Sequence, residues 1–244
     1  FLSLKLIDEG RKHMKKLLTI LLATICLFAL CACSTGTNPT GSNPIKVGVV
    51  QTTQHPALDA ATQGFVDALK ENGITNVDVQ NASGESANCS TIVGNFVADG
   101  VDLIMANATP ALQAASAATD TIPVLGTSIT VYDVVLGGSV PKNVSGTTDL
   151  APLDEQASMI KELFPDAKKV GILFCSAEAN SQYQVDKISE FLKEDGIETV
   201  NYVFNDSNDI TAVTEKAVND KVDVIYIPTD NTAASNTQAI ANVV

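Results

Sequence analysis

The chain repeats itself at a spacing that fits a two-lobed protein. "KVGVV" at Lys46 returns as "KVGIL" at Lys169, 123 residues on. "GITNVDV" at Gly73 returns as "GIETVNY" at Gly196, again 123 residues on. "VDLI" at Val101 returns as "VDVI" at Val222, 121 residues on. Three landmarks in the same order at a nearly constant offset mark an internal duplication. A period this long is no solenoid repeat. It is the size of a domain half.

Within each half, apolar runs alternate with helical patterns. Short buried strands are expected at Val47–Gln51, Val77–Asn81, Asp102–Ala106 and Val124–Thr127. Helices are expected at Ala57–Asn72, Ala87–Asp99 and Pro110–Thr119, with Gly73 and Gly100 as C-terminal stops. The second half predicts strands at Val170–Phe174, Thr199–Phe204 and Val222–Ile227. Such alternation builds βαβ units and a parallel sheet. The fold class is therefore α/β, with two Rossmann-like lobes carrying parallel sheets and a hinge between them. Lobe one is assigned to residues 45–142, a hinge or crossover to 143–156, and lobe two to 157–244. Ligands of such folds sit beyond the carboxyl ends of the strands, where two lobes leave a cleft.

The duplication aligns "VDLIMANATPALQ" with "VDVIYIPTDNTAAS", so Thr109-Pro110 stands opposite Asp230-Asn231. Thr109 suits an N-cap and Pro110 a first helical residue, and capping alone accounts for Thr109. Asp230 also caps well, and the spare Asn231 beside it leans toward ligand contact. Helix N-termini suit a carboxylate. Asp230 or Asp149 would suit an ammonium group. Together they favour a zwitterion such as an amino acid. Sugars are the competing class, but the chain has no tryptophan, and Tyr132 and Tyr183 are the candidate aromatics near the cleft.

The first 44 residues do not read as part of the lobes. Residues 1–13 precede Met14 and read as upstream leader or an over-called start. Lys15-Lys16 and the apolar run Leu17–Leu30 have the form of a signal peptide over 14–32, too short for a comfortable membrane span. "LCAC", Leu30 to Cys33, resembles a bacterial lipobox with Cys33 as the lipidated residue. "STGTNPTGSNP" then reads as a flexible tether over 33–44. The expected location is extracytoplasmic, anchored to the membrane by acyl chains on Cys33.

The net charge of −13 becomes about −16 once the five basic and two acidic leader residues are removed. So acidic a body argues against nucleic acid as partner. Cys89 and Cys175 are not a disulfide framework, and His55 alone beyond the leader offers no metal cluster. No cofactor is implied. There is no G-x-S-x-G elbow, no H-E-x-x-H, no Walker loop, and no glycine in the "QTTQHPALD" that follows the first strand. The reading is a binder and not an enzyme.

Several blocks together resemble a known family. They are "QTTQHPALDAATQGFVDALKENG" (Gln51–Gly73), "VDLIMANATPA", "NVSGTTD" (Asn143–Asp149), "KVGILFCSAEANS" (Lys169–Ser181) and "IPTDNT". They look like the ABC-transporter substrate-binding proteins of the tryptophan/tyrosine type. That resemblance implies a type I periplasmic-binding-protein fold and delivery of an aromatic amino acid or related molecule to a membrane permease and its ATPase. It nominates Gln54, His55, Thr109, Ser128, Asp149, Asn180, Ser181, Asp230 and Asn231 as cleft residues, with Asp230 for the ammonium. The alternative is a sugar or other small-molecule binding or sensing protein on the same fold. Two departures stand out. "SITVYDVVLGG" (Ser128–Gly138) replaces the family's Asp-Pro pair, and the chain stops at Val244, where the family continues, so a partial sequence with an incomplete second lobe is expected.

Overall fold

A computed structural model describes residues 44–244. They form one compact unit around two all-parallel sheets. The leader, the signal-like run and Cys33 lie outside the described residues.

The first sheet comprises β1 (Lys46–Gln51), β2 (Asn76–Asn81), β3 (Leu103–Asn107), β4 (Val124–Ile129) and β5 (Val144–Thr148), in the order β2-β1-β3-β4-β5. Around it run α1 (Pro56–Glu71), α2 (Ser86–Ala98), α3 (Thr109–Ala118) and the short α4 (Tyr132–Val135). Central β1 is buried along almost its whole length because helices cover both faces. Val50, Ile104 and Ala106 pack with Phe96 and Leu112 from α2 and α3 on one face. Val47, Val49 and Met105 meet Phe65 and Leu69 of α1 on the other.

The second sheet comprises β6 (Lys169–Cys175), β7 (Glu198–Phe204) and β8 (Val224–Tyr226), in the order β7-β6-β8. α5 (Leu153–Leu163) leads into it, and α6 (Ala179–Glu194), α7 (Ile210–Asn219), α8 (Asn231–Ser235) and α9 (Thr237–Ala241) complete the described chain.

The duplication is physical. Val47 pairs with Leu103, and Val170 with Val224, the same register one repeat later. Both halves use one clamp at the amino ends of their strands. Asp102 Oδ2 accepts the Lys46 backbone N–H at 2.8 Å, and Asp223 Oδ2 accepts those of Lys168 and Lys169 at 2.8 and 2.9 Å.

Three local expectations change. The stretch 143–156, expected as a crossover, holds a strand and a helix start: β5 is the outer strand of the first sheet, α5 begins at Leu153, and only residues 149–152 between them are irregular. Its small polar "VSGTT" gives no apolar run, yet Gly146, at φ 149°, lets it lie flat against Gly126. β8 is shorter than expected, because Pro228 cannot donate to a ladder and the chain turns away after Tyr226. Thr109 is the first helical residue of α3 and not its cap, a place taken by Ala108.

Candidate functional site

In both sheets the first strand is flanked by the second on one side and the third on the other. The crossovers from the first strand therefore diverge, leaving a crevice at the carboxyl ends. A cavity of about 320 Å³ lies there, walled by both lobes. Lobe one contributes Thr52 and Thr53 beyond β1, Ser83–Ala87 beyond β2, and Pro110 at the start of α3. Lobe two contributes Cys175 at the end of β6, Ala177 and Glu178 beyond it, Asn205–Ser207 beyond β7, and residues of α8 and its end.

Lobe one's wall is rich in donors. Asn88 and Cys89 give their backbone N–H groups to the Glu85 carbonyl. No hydrogen bond reaches the first two N–H groups of α2, those of Ser86 and Ala87, among the described residues, and both residues line the cavity. These are the orphan donors of a thirteen-residue helix, with the positive end of its dipole behind them. The backbone here is strained. Ser83 (φ 56°), Ala108 (φ 77°) and Ser128 (φ 57°) all hold positive φ at the carboxyl ends of β2, β3 and β4. Ala108, at ψ 164°, occupies a region that is otherwise almost exclusive to glycine.

Lobe two's wall is acidic. Glu178 is 5% exposed and is the residue before α6. Its Oε1 accepts the backbone N–H and the hydroxyl of Thr232, both at 2.8 Å. Its Oε2 accepts the backbone N–H of Asn231 at 2.9 Å, Asn231 Nδ2 at 2.7 Å and Asn180 Nδ2 at 3.1 Å. One carboxylate thus caps the first turn of α8 from 53 residues away. Behind it Asp230 is 2% exposed. Its Oδ1 accepts the Ala233 N–H at 2.8 Å, and its Oδ2 accepts the Cys175 N–H and the Ser181 hydroxyl, both at 2.7 Å. Burial, and then the Glu178 charge, push the Asp230 carboxyl up to about 6. Burial also raises the Cys175 thiol. Asn180 donates to the Thr229 carbonyl at 2.9 Å, while its own buried Oδ1 has no donor.

The nominated residues divide sharply. Asn231 lines the cavity. Asn180, Ser181 and Asp230 form the layer behind the wall. Thr109 is buried beside Pro110. His55 caps α1, its Nδ1 accepting the Ala57 N–H at 3.2 Å. Gln54 lines a separate polar hollow with Gln51, Asp59 and Asn81. Ser128 sits in the β4 irregularity, and Asp149 in the loop after β5. Tyr132 is a strut, not a cleft residue: its hydroxyl donates to the carbonyls of Gly126 at 2.9 Å and Thr147 at 3.1 Å. Burial, helped by the Asp149 charge, pushes that phenol up to about 12.

Sequence reasoning missed Glu178. One signal was available. Glu178 is the counterpart of His55, 123 residues on, and each precedes the helix that follows the first strand of its sheet. An imidazole stands before the helix in one half and a carboxylate in the other.

Residues 46–244 match the family described as ABC transporter substrate binding protein. The chain belongs to that family. It is 36% identical over 208 residues to a tyrosine-binding protein of Clostridioides difficile (strain R20291), covering 81% of this chain and 59% of the relative. It therefore spans less than two thirds of that relative's length. Among solved structures it is similar to an ABC domain in complex with L-Trp from Streptococcus pneumonia, at 33% identity and a TM-score of 0.77, covering 81% of this chain and 70% of the other. A conserved domain protein from Vibrio cholerae gives 34% identity and a TM-score of 0.77, covering 82% and 70%. The fold is the type I periplasmic-binding-protein arrangement expected from the sequence, and the family is one of binding proteins.

Proposed function

We propose that this chain is the extracytoplasmic solute-binding component of an ABC importer and holds an amino acid, tyrosine foremost, between its lobes. The observation that carries the reading is the pairing of free helix N–H groups on one wall with the buried Glu178 carboxylate on the other. Lobe one offers the unpaired N–H groups of Ser86 and Ala87 to a carboxylate, with the Thr53 hydroxyl close by. Lobe two offers the negative charge of Glu178 to an ammonium. A zwitterion bridging them draws the lobes together, and hinge closure is the ordinary motion of such proteins. Asp230, the sequence's candidate for the ammonium, yields that role to Glu178 because Glu178 lines the cavity whereas Asp230, 2% exposed, lies behind the wall.

The relatives named for tyrosine and bound to tryptophan support an aromatic amino acid. The lining is polar and contains no aromatic ring for a sugar to stack on. In this reading Cys33 carries the acyl anchor, a permease and its ATPase take the cargo, and Gln54, His55, Thr109, Ser128 and Asp149 support the fold around the cleft instead of touching the ligand.

Thermal unfolding of the full chain against L-tyrosine, L-tryptophan and a panel of sugars tests the reading. A ligand at a hundred times its dissociation constant adds about 2.7 kcal/mol of stability. A rise with tyrosine or tryptophan and none with sugars is expected; a rise with sugars alone would overturn the zwitterion.

A further inference from the structure

We propose that Asp230 is a positioning residue whose charge, set directly behind Glu178, makes capture of the ligand's ammonium group proton-linked. The inference rests on the cleft reading above, but it concerns a residue that does not touch the cavity.

The geometry joins the two acids through one short helix start. Three successive backbone N–H groups, of Asn231, Thr232 and Ala233, are divided between Glu178 and Asp230. Asn180 and Ser181 close the circuit on the other side, Asn180 donating to Glu178 and Ser181 to Asp230. Any change in charge at Asp230 therefore acts on the same turn that orients Glu178. The titratable groups facing Asp230 are the Glu178 carboxyl from the start of α6 and the Cys175 thiol from the end of β6. No ion pair or hydrogen bond from a lysine or histidine reaches either carboxylate among the described residues.

The cluster is short of positive charge. Two buried carboxylates lie together, and the buried Asn180 Oδ1 beside them has no donor. Such a group of acceptors takes either a proton or a cation, and the two compete. With the cleft empty, the proton goes to Asp230, whose carboxyl burial and the adjacent Glu178 charge push upward. With an ammonium against Glu178, the local potential becomes less negative and Asp230 releases its proton. Binding and proton release are reciprocal.

The magnitude follows from the populations. If capture needs Asp230 charged and its carboxyl titrates near 6, the competent fraction is about one tenth at pH 5 and about nine tenths at pH 7, so apparent affinity falls about tenfold between them. The ligand's own charges do not change in this range.

The experiment is calorimetric titration of L-tyrosine, and of L-tryptophan in parallel, into the full chain at pH 5, 6 and 7, for wild type and Asp230→Asn. A His55→Asn background keeps histidine chemistry out of the comparison and retains a capping side chain at that position. Wild type should lose about tenfold in affinity on acidification and release protons on binding at pH 6. Asp230→Asn should bind with an affinity that is flat in pH and with no such release. A wild type flat in pH, or a variant with the same slope, overturns the proposal. If neither amino acid binds at any of these pH values, the cleft reading fails by itself. The pair is then judged on ligand-free melting, where wild type should lose stability from pH 5 to 7 relative to Asp230→Asn; parallel curves would dismiss the coupling.

Discussion

Glu178→Gln is the sharpest single test of the cleft, because the substitution preserves shape and removes only charge and acceptor capacity. The carboxylate takes five donors: two on Oε1, both from Thr232, and three on Oε2, from Asn231 and Asn180. A glutamine must turn its NH₂ toward one set. Facing Thr232, it leaves one backbone N–H without an acceptor and forces the hydroxyl to rotate. Facing the other set, it strands three donors, so the first orientation wins. A buried donor left unpaired costs about 1–3 kcal/mol. Loss of the charge at the start of α8 adds about 0.3–1 kcal/mol. Relief of the repulsion with Asp230 returns part of this. The net expectation is a loss of about 1–3 kcal/mol, read as a lower urea midpoint at unchanged slope. Ligand affinity should fall more steeply, by at least tenfold, because the charge that meets the ammonium is gone. A variant of wild-type stability that also binds L-tyrosine as wild type does would refute both the capping and the recognition role. A variant that loses stability but binds normally would leave Glu178 as a cap alone.

Three further outcomes follow from the same structure. Gly146→Ala would drive a methyl into the Gly126 carbonyl and the Tyr132 hydroxyl at a positive φ, and should cost about 3 kcal/mol or more in denaturant unfolding. Tyr132→Phe removes the donor shared by the Gly126 and Thr147 carbonyls and should cost about 1–2 kcal/mol by the same assay, with L-tyrosine affinity unchanged. Asp230 titrates near 6 in the fold against 3.8 as its ordinary value, so the folded state binds more protons than the unfolded one between those values. Stability should therefore fall as pH rises from about 4 to about 6, by at most about 3 kcal/mol, and Asp230→Asn should remove that part of the melting profile.

The duplication was the most legible property of the chain, since strand registers depend on local apolar runs and those runs repeat. The helices around "PALDAATQGFVDALKE" and "SANCSTIVGNFVA" were likewise plain, each carrying a continuous apolar face. β5 was not, because an outer strand of serine, glycine and threonine has no inward apolar set to betray it. The site was harder still. A glutamate before a helix reads as an ordinary N-terminal acid, and nothing near Glu178 in sequence says that its partners are Asn231 and Thr232. Asp230 misled for the opposite reason: its position beyond a strand was right, but side-chain direction decides whether an acid faces a cleft or the layer behind it. The strain at Ala108 is equally invisible, since alanine there advertises an ordinary helix start.

The long reach between Glu178 and α8 also governs when the site comes into being. The five described strands of the first sheet all precede lobe two in sequence, so they can pair while lobe two is still being synthesised. The acidic wall cannot form until Thr232 has left the ribosome and closed back on a residue made 54 positions earlier. Contacts so distant in sequence are among the last to be consolidated in folding. The bound solute therefore has nothing to hold on to during the climb to the transition state. It should act as a brake on unfolding and leave the rate of folding almost untouched.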